Sequence, residues 1–496
     1  MLRRFPLTGP SSTFPYSSNA VPRAISRHFG DWIMLTSFAS RNEGPARRTN
    51  TIYFDITDVV DHAGRNRTVT GIQRVVTKVL ESIIECDTTG RYRGLVRLPS
   101  SGAFMAADLS FLRDPHDYSD FAARFERGYD KKAWLESKLK KYHARPAKAF
   151  LKKLWLKLQW SLSRKLRDRV TSNLLTPKSS CLSPLNLAKG DVIVTLGAGW
   201  CTEYRQVHDL ARRAKCEVVS FVYDIIPITH PQFAHDSNKR FRNWVDYVAE
   251  NSSLICTISQ FSKDELIGYL NKRGHHANVS VIKFPHEFKA PSTAPELNVS
   301  MEVQRLVGTK FMLCIGTLDQ RKNILGLLRA WRELNEQGFE MPNVVICGGA
   351  GRGFDEIQQF LRLNEHDAGE AVTIIQRPND TELEILYRAC QFSVFPSFVE
   401  GWGLPIGESL WFGKPVICAN SASMPEAGGQ FATYFDHGKP ESLREALLEM
   451  IRHPVKLPPN VRGQLTTWEG TAASICDAIN LDLSRVFTGE VERASA

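Results

Sequence analysis

The chain has 496 residues, enough for two or three domains, and its 43% hydrophobic and 23% charged content is that of an ordinary globular protein. Such a composition excludes a collagen-like repeat, a disulfide-stapled miniprotein and a largely disordered chain. No apolar run reaches the roughly 18 to 20 residues that a membrane-spanning helix needs. The ten cysteines are scattered without a Cys-x-x-Cys pair, and Cys256, Cys314, Cys347 and Cys418 sit in apolar β-like runs. Reduced thiols in a reducing compartment, and no zinc site, are expected.

The first 50 residues are rich in Ser and Pro, hold seven Lys or Arg against two acids, and contain no secretory apolar core. A mitochondrial-type presequence shares that composition, but a disordered extension or a start codon placed too early fits it better. The net charge of +10 is unevenly spread: residues 131–169 carry 14 Lys or Arg against Glu136 and Asp168, so the rest of the chain is close to −2. Within this stretch Leu151, Leu154, Trp155, Leu158, Leu162 and Leu166 recur at helical spacing. The pattern predicts a basic amphipathic helix inside an insertion of about residues 120–180. With Leu156 and Trp160 on the polar side, it suits the headgroup region of an anionic bilayer. A solvated basic face is the plainer alternative, and nucleic-acid binding is disfavoured because no reading motif accompanies the charge.

From Thr51 onward short β-branched runs alternate with amphipathic helices, the pattern of parallel sheets covered on both faces. A first block, residues 51–290, has strand candidates at 51–56, 191–196, 217–223, 253–258 and 279–284, with helices over 71–84 and after Ser262. Ser262 and Glu265 have capping-box spacing. A polar linker at 291–308 leads to a second block, residues 309–455, with strands at 311–315, 344–347, 372–376, 392–395, 416–419 and 433–435. Two doubly wound α/β domains facing across a cleft follow. In such sheets ligands bind beyond the carboxyl ends of the strands.

There the second block offers Gly316-Thr317-Leu318-Asp319-Gln320-Arg321-Lys322-Asn323, entering a helix whose apolar face is Ile324, Leu327, Leu328 and Trp331. Two cations at a helix start oppose its dipole, and a diphosphate would reverse the sign of that penalty. After strand 392–395 comes Glu400-Gly-Trp-Gly-Leu-Pro-Ile-Gly-Glu408. Pro405 suits a first helical turn, so Glu400 and Glu408 would reach different depths of one cleft, where carboxylates accept from vicinal diols. Gly401 and Gly403 allow close backbone approach. The Gly348–Gly353 run is predicted to be a structural turn, since no acidic ribose partner follows it in strand context. In the first block, Asp55 and Asp58 end one strand, Gly71 and Arg74 open a helix, and Tyr223-Asp224 end another strand with His230 one turn further on.

These motifs, and above all "FPSFVEGWGLPIGESLWFGKPVICANSASMPEAGG", resemble glycosyltransferase family 4, retaining nucleotide-sugar enzymes of the GT-B fold. The resemblance covers residues 51–480, most closely 309–440. It implies that Arg321 and Lys322 hold the donor diphosphate in place of a metal, so neither metal nor cofactor is needed. It further implies that Glu400 contacts donor-sugar hydroxyls, that Glu408 binds the ribose, and that Gly316, Thr317, Gly403 and Leu404 line the donor. Arg377, in the Gln376-Arg377-Pro378 turn, lies where the family holds the base, and Gly71 approaches the phosphate from the opposite domain. Trp468-Glu469 resembles the start of a closing helix over 456–485 that returns to the first domain. Tyr223 stands where the family has a histidine, leaving Tyr223 and Asp224 as candidates for sugar contact and acceptor orientation.

The implied activity is transfer of a hexose, mannose being favoured, to a polysaccharide or lipid-linked saccharide, in the cytoplasm or at the cytoplasmic face of an inner membrane. A soluble acceptor, nucleotide-sugar epimerisation and a catalytically idle scaffold at membrane or nucleic acid are the rivals.

Overall fold

The computed structural model describes residues 50–63, 71–98, 102–113, 181–234, 238–289, 299–369 and 371–488. The basic stretch 131–169 and the N-terminal 49 residues therefore lie outside the described residues.

The first lobe is built on an eight-stranded sheet in the order β4-β3-β2-β1-β5-β6-β7-β8. Its strands are β1 (Ile52–Asp55), β2 (Tyr92–Arg97), β3 (Phe104–Ala107), β4 (Leu182–Pro184), β5 (Val192–Thr195), β6 (Glu217–Phe221), β7 (Leu254–Thr257) and β8 (Val279–Val281). All five strands predicted for this block are present. The sheet gains β2, β3 and β4 beyond them, the last two pairing antiparallel at one edge. Arg93 and Arg97 break the apolar run of β2, and the other two strands are only four and three residues long, which hides them from a periodicity argument.

The second lobe carries a six-stranded, wholly parallel sheet in the order β11-β10-β9-β12-β13-β14. Here β9 is Phe311–Ile315, β10 Asn343–Cys347, β11 Val372–Ile375, β12 Phe392–Phe395, β13 Val416–Ala419 and β14 Thr433–Phe435. Chain order runs outward from β9 to β11 and then restarts beside β9 at β12. The crevice above β9 and β12 is thus a topological switch point, the place where an open parallel sheet leaves room for a ligand. In the first sheet the equivalent point falls between β1 and β5.

Six helices matter to that crevice. In chain order they are α1 (Ile72–Cys86), α2 (Gln260–Asn271), α3 (Ile324–Glu336), α4 (Asp380–Ala389), α5 (Leu404–Trp411) and α6 (Trp468–Thr488). The predicted apolar face of α3 is buried, with Leu334 extending it. Trp468, Ala472, Ile475, Cys476 and Ile479 form one stripe of α6 and pack into the first lobe's core beside α1, so the C-terminal helix ties the chain end back to its beginning. At α2 the predicted cap is corrected. Ser259, extended at the end of the strand connection, accepts from Ser262 N at 3.0 Å, and Ser262 itself lies within the first turn. A complete capping box occurs instead at α4, between Asn379 and Glu382.

The predicted linker contains a short helix, Met301–Leu306. Ser300 N donates to Glu382, and Val303 and Leu306 enter a core cluster with Phe311 and Leu313. These residues belong to the second lobe. The glycine-rich turn after β10 folds directly onto the loop after β9: a Cβ on Gly348 would lie 1.9 Å from Gly316 O, and one on Gly351 2.8 Å from Leu318 O. Backbone against backbone cannot yield as a side chain can. Gly348→Ala should therefore cost about 1–3 kcal/mol, read as a lowered urea midpoint at unchanged slope; an unshifted midpoint would show that the turn tolerates a methyl group and that this contact is not needed.

Candidate active site

The loop after β9 turns once through Gln320–Lys322, with Asp319 accepting from Arg321 N, before α3 begins at Ile324. Asn323 between them is left-handed at φ 52. The two cations consequently sit one residue ahead of α3, and they are not left to solvent. Arg321 Nη1 lies 2.5 Å from Glu400 Oε2 and donates to Val399 O at 2.7 Å, while Lys322 Nζ donates to Glu400 Oε1 at 2.7 Å. The Lys322 ammonium also rests 4.7 Å from the Phe395 ring centroid. A Cβ on Gly316 would lie 3.1 Å from the Lys322 stem, so the bare glycine leaves the lysine its path to Glu400.

Glu400 is buried, which alone would push its carboxyl up; Lys322 and then Arg321 outweigh burial and hold it at about 2. Two cations thus share one carboxylate. Burial draws the Lys322 ammonium down despite Glu400 beside it. A further anion arriving here would be met by charge that is already desolvated and fixed.

Glu408 does not join this cluster. It lies inside α5, behind Gly403 at φ 106 and Pro405, and its Oε2 accepts from Tyr387 OH at 2.7 Å while Oε1 lies 3.2 Å from Arg74 of the first lobe. The two glutamates form separate polar centres on one helix-and-loop unit. Leu404 is half-buried and, with Trp402, packs onto the first lobe. Thr317 and Arg377 are exposed at the loop ends beyond β9 and β11, and Arg377 holds a left-handed φ of 55, a strained state for a non-glycine residue.

From the first lobe, Asp224 approaches Gly401 so closely that a Cβ there would lie 3.0 Å from its Oδ2. Burial raises the Asp224 carboxyl, Arg321 and the Ile226 amide oppose the rise, and Glu400 adds to it. Asp224 therefore belongs to the same electrostatic group as Arg321 and Glu400. His230 is half-buried, bonded to Thr229 Oγ1 at 2.9 Å, and exerts only a minor field on Asp224. Gly71 heads α1 at φ 52 with nothing within 4 Å of its missing Cβ. Tyr223 departs from expectation: its ring is buried in the first lobe's core and its hydroxyl donates to Leu196 O at 2.7 Å. A hydroxyl committed to a buried carbonyl is not presented to a sugar.

Sequence reasoning missed several ties between the lobes. The Glu426 carboxylate accepts from the first two amides of α2, Gln260 N at 2.6 Å and Phe261 N at 2.8 Å, the favoured place for an anion. Ser259 Oγ donates to Gly401 O at 2.8 Å, and Trp402 Nε1 donates to Pro285 O at 3.3 Å. Arg352 donates to the carbonyls of Phe233 and Ala234. Of these residues, Gly401, Trp402 and Glu426 lie within the resembling motif, whereas Ser259, Pro285 and Arg352 lie outside it.

Residues 300–462 match the protein family Glycosyl transferases group 1. The matched stretch runs from the short helix Met301–Leu306 through the six strands of the second lobe. The chain is 28% identical to O-antigen chain mannosyltransferase B of Escherichia coli over 49% of its own length and 63% of that protein's. It is 24% identical to the serotype-specific mannosyltransferase WbdA of the same organism over 54% of its length and 34% of that relative's. The matched stretch is thus less than two thirds of either relative. Among solved structures, sucrose-phosphate synthase from Thermosynechococcus elongatus superposes with a TM-score of 0.53 at 15% identity, over 89% of this chain and all of that one. Anabaena HepE with UDP and glucose gives 0.52 at 14% identity, over 87% of this chain and all of that one. The expected two-lobed GT-B fold is the fold found.

Glu400 sets a pH signature. Its carboxyl is held below its ordinary 4.5, so the stability it contributes is complete above that value and is lost as the pH falls through about 2. The stability gap between wild type and Glu400→Gln, at most about 3 kcal/mol, should shrink over that window in urea titrations. A gap independent of pH would mean that the ion cluster is not what stabilises the loop.

Proposed function

We propose that this chain transfers a hexose, mannose in preference, from a nucleoside diphosphate sugar to a hydroxyl of a growing or lipid-linked saccharide, with retention at the anomeric carbon. The observation that carries the proposal is the Arg321–Glu400–Lys322 cluster at the switch point of the second lobe, two cations on one glutamate facing Asp224 of the other lobe. The saccharide acceptor and the mannosyl preference rest on the O-antigen mannosyltransferases to which the chain is similar.

In this scheme the donor diphosphate takes up Arg321 and Lys322, and Glu400, relieved of part of its pairing, accepts from the sugar hydroxyls. The bond between the anomeric carbon and the phosphate oxygen breaks with its electron pair going to that oxygen. The acceptor oxygen bonds to the anomeric carbon on the same face, and its proton passes to the leaving phosphate. Arg321 and Lys322 stabilise the charge that develops there. Asp224 orients the acceptor hydroxyl across the crevice. Charge for the leaving group comes from side chains, so no metal or cofactor takes part, and EDTA should leave turnover unchanged.

A thermal-shift panel of UDP, GDP, ADP, dTDP and CMP, run without added metal, tests the donor. One diphosphate should raise the melting temperature by mass action, the shift should collapse in Lys322→Ala, and that variant's turnover should fall roughly 10²–10³-fold. No shift from any nucleotide in a folded protein would sink the proposal and favour the idle scaffold. Conversion of donor sugar without an acceptor would favour the epimerase.

Residues 131–169 supply the second part of the proposal. Their net charge of +12 and amphipathic spacing hold the enzyme on an anionic bilayer, at the cytoplasmic face of an inner membrane where lipid-linked acceptors lie. Among the described residues no helix is long and apolar enough to cross a membrane. Co-sedimentation with phosphatidylglycerol vesicles should be strong at low salt, weaken steeply as salt rises, and be absent with phosphatidylcholine alone; equal binding to both lipids would contradict the electrostatic mode.

A further inference from the structure

The polar centre around Glu408 includes a residue that the motif does not predict. Arg74 leaves α1 of the first lobe, lays its guanidinium 4.8 Å from the Phe288 ring centroid and ends 3.2 Å from Glu408 Oε1. Its side chain is 14% exposed and that of Glu408 only 4%, so the pair is desolvated on both sides. Tyr387, from α4, donates to the other carboxylate oxygen, and its ring stacks on Phe412 at 5.3 Å. Asp380 at the start of α4 is the remaining charged group whose field reaches both partners.

We propose that Arg74 is a positioning residue for the donor nucleotide: from the opposite lobe it keeps the Glu408 carboxylate charged and aimed, so that Glu408 can accept hydrogen bonds from a ribose diol. The proposal rests on the donor assignment above. Burial is the leading influence on Glu408 and keeps its carboxyl above the ordinary value although Arg74 and then Tyr387 oppose the rise, so that loss of Arg74 would raise it further. A neutral acid keeps a donor of its own and presents fewer acceptor sites to a diol. Each Glu408 oxygen has one partner here, which leaves acceptor capacity on both. The placement also couples affinity to closure: Arg74 lies three residues beyond Gly71, at the head of α1, so the ribose carboxylate is fully charged only when α1 is docked.

The test is calorimetric titration of UDP and GDP into wild type, Arg74→Met, Arg74→Lys and the double variant Arg74→Met/Glu408→Gln, from about pH 6 to about pH 9. Methionine keeps the apolar stem over Phe288, and the double variant removes both charges together, which buried pairs tolerate better than the loss of one. The nucleotide that binds wild type should bind with nearly constant affinity over this range. Arg74→Met should bind at least about tenfold more weakly at the low end of this range and regain affinity as the pH rises. Arg74→Lys should restore the flat profile, and the double variant should be weak and flat.

An Arg74→Met affinity equal to wild type, or reduced by the same factor at every pH, would overturn the proposal, the second outcome marking Arg74 as a tie between lobes and nothing more. If neither nucleotide binds wild type, the donor assignment fails by itself. Difference infrared spectroscopy then decides for Arg74: a protonated-carboxyl band at neutral pH in Arg74→Met, absent from wild type and from the double variant, upholds its hold on Glu408, and no such band refutes it.

Discussion

The structure turns on one electrostatic arrangement, two desolvated cations sharing a single carboxylate at the switch point of a parallel sheet. Such a cluster is costly to build from isolated parts, since each charge gives up water on burial. It is possible here because strand order puts the loop after β9 beside the loop after β12, so Arg321, Lys322 and Glu400 arrive on two adjacent backbones without reaching across the domain. That pairing is what the proposed diphosphate would share. It is also why Glu400 remains ionised in a buried site.

The second lobe does not hold that cluster in place by itself. The loop carrying Glu400 is fixed through Gly401 O by Ser259, and its next residue, Trp402, donates to Pro285. Glu426 pins the head of α2 a few residues away. Because Gly401 has no side chain, Asp224 can come within contact distance of the loop; any larger residue there would push the two apart. The position of the Arg321–Glu400–Lys322 cluster therefore depends on both lobes.

Much of this was legible in the sequence, for physical reasons that differ by element. The β9 and β12 strands are short, mostly apolar runs followed by glycine or proline, and the cations and glutamates that follow them have little structural reason to be there, so site and fold were read together. What failed were features set by three-dimensional partners. Ser262 had the right spacing for a cap, but the end of β7 left Ser259 in the extended conformation that capping requires. Tyr223 had the right position for a ligand contact, but its neighbour in space is Leu196 O. Arg74 looked like an ordinary helical arginine because its partner is 334 residues away in sequence. Edge strands β3 and β4 carry too few residues to show a period.

The separation of the two glutamates completes the argument. Eight residues apart, they could have shared one pool of cations, yet Glu400 faces two and Glu408 faces one. The first centre therefore pairs two cations with one glutamate, with Asp224 of the first lobe alongside, and the second pairs one cation with one glutamate, with Asp380 alongside. A nucleoside diphosphate sugar has the matching asymmetry, a charged diphosphate flanked by neutral diols. An anion meets two cations at the first centre and one at the second, whereas a neutral diol can exploit the unused acceptor sites on Glu408 without displacing an ion. The donor proposed above would accordingly lie with its diphosphate beside Arg321 and Lys322 and its ribose towards Arg74.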